Sequence, residues 1–150
     1  MHDRITAGAI GGLAAGIVMG LISMTLKNVG ICELCVVNIG GGILSINFMG
    51  ESTVIETLLG WIIHLALSVT FGVIIAIMLT YFGTKYHILK GAILITLLFI
   101  INIGIIGPMV GTISGAAEIL DFYLVLFYHI IFGGLSSYIT VRFGNLKVVK

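Results

Sequence analysis

Apolar residues in this chain come in long unbroken runs, without the alternation of a strand or the narrow stripe of a surface helix. No Asp, Glu, Lys or Arg occurs at 57–84 or at 91–117. Crossing about 30 Å of hydrocarbon at about 1.5 Å per residue takes runs of this length. The pattern predicts four transmembrane helices, near 5–27, 57–81, 89–110 and 122–141. The first could be taken for a signal peptide, but its apolar stretch runs from Ile5 to Leu26, longer than the usual signal core. No small-residue cleavage site follows it, and Ile31 precedes Cys32 where a lipoprotein would carry a small residue. It reads as a retained helix. The expected fold class is all-α: a polytopic membrane protein forming one domain over 1–150, its four helices in an up-and-down bundle.

Composition sharpens that picture. Of the 150 residues, 59% are hydrophobic, 21 are glycine and one is proline. Charged residues make up 9%, about a third of the usual share in a soluble domain. With a mean hydropathy of +1.26, nothing remains to build a polar shell. Six of the seven basic residues fall on one side of the four spans: Arg4, Lys85, Lys90, Arg142, Lys147 and Lys150. Lys27 falls on the other, with Glu33, Glu51, Glu56, Glu118 and Asp121. The positive-inside rule then puts both termini in the cytoplasm. A net charge of +1 with no basic block leaves no electrostatic footprint for nucleic acid.

The two outer connections are unusual. Residues 30–53 form an apolar connection in which 34–50 carry no charge and include Gly40-Gly41-Gly42. Such a segment is expected to lie in the outer interface or to dip in and return. Gly107-Pro108 is expected to break the third span ahead of the second connection, 111–121. Glu118 and Asp121, three apart, read as solvated carboxylates at the membrane rim.

Gly8, Gly12, Gly16 and Gly20 are spaced four apart on one face of the first span, a glycine zipper. Glycine there lets a neighbouring backbone approach where lipid removes the hydrophobic drive for association. The neighbour is either another span of this chain or a second copy in a homo-oligomer. The second span repeats the spacing with Gly60, His64, Ser68 and Gly72, the fourth with His129, Gly133 and Ser137. Each histidine shares a stripe with small residues and is expected to face the interior. Both lie roughly 10 Å in from the outer helix ends. Together with Asn102, they are the candidate ligand-binding residues inside the membrane.

The chain resembles the four-span bacterial inner-membrane proteins of the YqhR and YagU kind. The likeness is carried by GGLAAGIVMG in the first span, His64 leading to Phe71-Gly72 in the second, and Lys90-Gly91 opening the third. The resemblance implies an inner-membrane location and brings no established activity, so no catalytic residue comes with it.

Three functional readings stay open at the level of sequence. The first is a non-catalytic bundle: a subunit or scaffold of a membrane complex or homo-oligomer, or a binder of a lipid or small hydrophobic ligand. It needs neither cofactor nor metal. The second is thiol–disulfide exchange through Cys32-Glu33-Leu34-Cys35 on the outer side. The DsbB-type quinone-dependent oxidases look similar in span number and in placing such a motif after the first span, but a second cysteine pair is missing here. The third is haem, or another redox cofactor, held by His64 and His129 as axial ligands from diagonal spans. Their plainer roles are packing for the thiols and hydrogen bonding to carbonyls or serine for the imidazoles.

Overall fold

The computed structural model of the chain describes residues 3–33, 35–42, 54–110, 119–144 and 146, and among these no strand occurs. Six helices follow in order: α1 (Arg4–Asn28), α2 (Val36–Gly42), α3 (Val54–Phe82), α4 (His87–Phe99), α5 (Gly107–Val110) and α6 (Ile119–Gly144). A wide π-helical segment, Ile100–Ile106, joins α4 to α5 and makes them one continuous rod. Four helical stretches are long and apolar enough to cross a membrane: Arg4–Asn28, Val54–Phe82, His87–Met109 and Ile119–Gly144. They overlie the four expected spans and form a four-helix bundle.

Local chemistry fixes where α1 begins and ends. The Asp3 carboxylate accepts from the Ile5 and Thr6 amides at 3.0 and 3.2 Å and also binds the Thr6 hydroxyl. It satisfies donors that the first turn leaves open. Those bonds, the Thr6 hydroxyl foremost, hold the Asp3 carboxyl below its ordinary pKa. At the other end Gly30 takes φ +73°, its amide donating to Lys27 and that of Ile31 to Leu26. This is a Schellman cap, in which glycine adopts the left-handed conformation without a Cβ penalty. α3 ends at Gly83, φ +75°, and the Lys90 ammonium donates to the carbonyls of Phe82 and Gly83 at 2.6 and 2.8 Å. A short turn can therefore lead straight into α4.

α1 packs between α3 and α6, and α6 packs in turn on α4, while α3 and α4 touch sparsely. Along the α1–α3 seam Gly8 meets Gly72 and Ala76, Gly12 meets Ser68 and Gly72, Gly16 meets Ser68, and Gly20 meets the Trp61 ring. The neighbour's number falls as the glycine's rises, so these two helices run antiparallel. On α1's other side the Thr140 hydroxyl of α6 fills the space a Cβ would take at Gly11. The Ser137 hydroxyl does the same at Gly91 of α4. Among the described residues the buried hydroxyl oxygens of Ser136, Ser137 and Thr140 have no conventional hydrogen-bond partner.

Two local features depart from expectation. Gly107-Pro108 does not break the third span, which continues to Val110. Pro108 has no amide to give four residues back, and its ring would crowd the carbonyl there. The winding opens instead, and the Gly107 amide donates to Asn102, five residues back. In the connection between the first two spans, α2 packs on α3, with Gly40 against the Gly60 carbonyl and the His64 backbone and Val37 against Gly60. The rest of that connection, 43–53, and residues 111–118 of the connection between the last two spans lie outside the described residues.

Candidate functional site

The densest group of reactive side chains sits where α1 ends and α6 begins. The Schellman cap turns the chain back, so that residues after Gly30 lie across the start of α6. There the Glu33 amide donates to Asp121 Oδ1 at 3.0 Å, and the Val36 amide donates to Ser23 Oγ at 3.0 Å. The Cys35 carbonyl accepts from the Ile39 amide and opens α2. Both cysteines are free thiols, Cys32 6% and Cys35 0% exposed.

Asp121, Val125, Tyr128 and Phe132 form one buried stripe on α6 beneath these thiols. The Tyr128 hydroxyl has no conventional partner among the described residues and lies beside the Cys32 thiol. Burial pushes the Cys32 pKa up, and the nearby Asp121 and Cys35 push the same way. Tyr128 and Lys27 pull it down, and burial prevails. A thiol held protonated is a weak nucleophile. The arrangement therefore stores two thiols out of reach more readily than it presents one for exchange.

The two candidate histidines are addressed to different neighbours. His64 is buried, and its Nε2 lies 2.9 Å from the Gly16 carbonyl of α1. An imidazole nitrogen facing a carbonyl carries the proton, which leaves Nδ1 as the acceptor. The Trp61 ring stands edge-on to His64 at 5.8 Å, and its Nε1 donates to the Met24 sulfur at 3.1 Å. His129 is half-buried on α6, its Nδ1 2.7 Å from the Val125 carbonyl and its ring 5.1 Å from that of Phe99 on α4. Among the described residues no hydrogen bond or ring contact joins the two. Asn102 is exposed, with its amide donating to the Leu98 carbonyl at 2.8 Å. No group of three or more His, Cys, Asp or Glu among the described residues could hold a metal ion.

The small residues have distinct partners. Gly8, Gly12, Gly16, Gly20, Ser68 and Gly72 line the α1–α3 seam, Gly60 meets Val37 of α2, and Gly133 meets Gly91 and Ala92 of α4. Asp121, expected at a solvated rim, is 2% exposed and latches the Cys32–Cys35 loop. Sequence reasoning passed over Tyr128 and Ser23. The signal for Tyr128 was its place seven residues after Asp121, on the same helix stripe. For Ser23 there was none, because its partner, the Val36 amide at the start of α2, lies 13 residues away across the chain reversal. Comparison of the chain with protein-family models, with curated proteins and with solved structures returns no match.

Proposed function

We propose that this protein is a non-catalytic subunit of an inner-membrane assembly, its helices running up and down with both termini in the cytoplasm. The orientation rests on the one-sided placement of six of the seven basic residues. The likeness to the YqhR and YagU family fits the same reading. One observation carries it. In the third span, His87–Met109, 11% of the apolar stretch is buried, against 33–44% in the other three. The other three spans thus make a packed body, and the third span leans mainly on α6, with a sparse contact to α3, leaving most of its described surface open to a partner within the membrane. The two thiols are buried, and the imidazoles of His64 and His129 each bond a backbone carbonyl within the fold.

The test is site-specific photocrosslinking in native membranes, with a benzophenone side chain at Leu97 or Ile101 on the third span and at Ile62 on α3 as control. All three positions are exposed. Protein adducts from the third span with lipid adducts from Ile62 support a subunit. Lipid adducts alone from every position would sink the proposal.

A further inference from the structure

We infer that the partner of the third span is a second copy of this chain, and that the two copies meet through reciprocal hydrogen bonds between their Asn102 carboxamides. The inference rests on the subunit reading above and names the partner. Asn102 is exposed on the least buried span, seven residues before Met109 and so roughly 10 Å below the outer end of the rod. At that depth water does not supply hydrogen bonds, and acyl chains offer none. One Asn102 N–H is spent on the Leu98 carbonyl of its own helix. Among the described residues the second N–H and the Oδ1 acceptor have no partner.

A carboxamide carries a donor and an acceptor side by side and is therefore complementary to itself. A twofold axis parallel to the membrane normal sets the same residue of two copies face to face. Two carboxamides then exchange two hydrogen bonds that neither lipid nor an apolar helix can give. The backbone around Asn102 also departs from the regular α-helix. It lies in the π-helical segment Ile100–Ile106, and its own carbonyl accepts the five-residue bond from Gly107. Such widenings recur at functional positions. Ile101, Ile105 and Ile106 nearby are exposed and supply the apolar surround of a helix pair.

Native mass spectrometry of the full chain released from nanodiscs, with photocrosslinking at Leu97, provides the test. Wild-type protein is expected to be dimeric. Asn102→Leu should weaken the dimer roughly tenfold, the order expected for one or two interhelical polar bonds, and Asn102→Gln should retain it. Because Asn102 is exposed and its one bond lies within its own helix, unchanged circular dichroism of Asn102→Leu will show that the fold is intact. A dimer untouched by Asn102→Leu overturns the inference and leaves the subunit reading standing. So does a monomer whose third span crosslinks to a different protein. A monomer with lipid adducts alone overturns both.

Discussion

The α1–α3 seam and the third span are both apolar helices, built for opposite neighbours. Along the seam, small residues recur every four positions, and backbone meets backbone at Gly8, Gly12 and Gly72. On the third span isoleucine and leucine dominate: Ile93, Leu97, Ile101 and Ile105 point outward, and Gly91 and Ile95 are the buried residues of α4. In lipid, hydrophobicity does not tell a helix which side faces protein, because acyl chains are as apolar as leucine. Side-chain size does. Where a side chain is absent another helix can come close, and where it is bulky and branched lipid packs as well as protein.

The sharpest way to break that contrast is Gly12→Leu. A Cβ at Gly12 would run into the Ser68 carbonyl and lie 2.9 Å from the Gly72 Cα, backbone atoms that cannot rotate aside. The expected cost is at or above the ~3 kcal/mol upper range of overpacking, read as loss of folded protein in detergent. Next comes Asp121→Ala, which removes the acceptor of the Glu33 amide. It should cost about 1–3 kcal/mol and speed alkylation of Cys32 by freeing its loop; unchanged thermal stability and unchanged labelling would count against the latch.

A smaller effect is expected from pH. Burial raises the Cys32 pKa, so the unfolded chain gives up this proton before the folded one does. The stability it contributes is complete below the ordinary thiol value of about 8.5. It is lost as pH rises through the folded value. Melting curves from pH 7 to 10 should fall more steeply for the wild type than for Cys32→Ala, and parallel curves would refute the buried thiol. Gly104→Leu closes the series. Among the described residues a Cβ there would meet only the Ile100 side chain of its own rod, at 3.9 Å. Stability should stay within ~0.5 kcal/mol, and a loss comparable to that of Gly12→Leu would erase the distinction between the two regions.

Much of the fold was legible before any coordinates, because spanning lipid is a local demand. Every amide in a stretch such as 57–81 must bond within its own helix, so length and absence of charge suffice to mark it. The four-residue spacing of Gly8 to Gly20 likewise named a face. Contact chemistry was far less legible. Cys32-Glu33-Leu34-Cys35 leaves redox and packing roles open in sequence, and the return of the chain over α6 is what buries both thiols. Gly107-Pro108 reads as a break until the winding upstream widens to absorb it.

The sequence by itself determined that four helices are long and apolar enough to cross a membrane, and its charge asymmetry predicts which ends stay inside, since both follow from the cost of placing amides and charges in hydrocarbon. Only the tertiary structure decided what each face touches: that Gly12 meets Ser68 in this same chain, that His64 bonds the Gly16 carbonyl while His129 turns to Phe99, and that Asn102 is left outside. The reason is physical. Burial in lipid is set residue by residue along the chain, but close approach between helices depends on the shapes of two surfaces that sequence distance keeps apart.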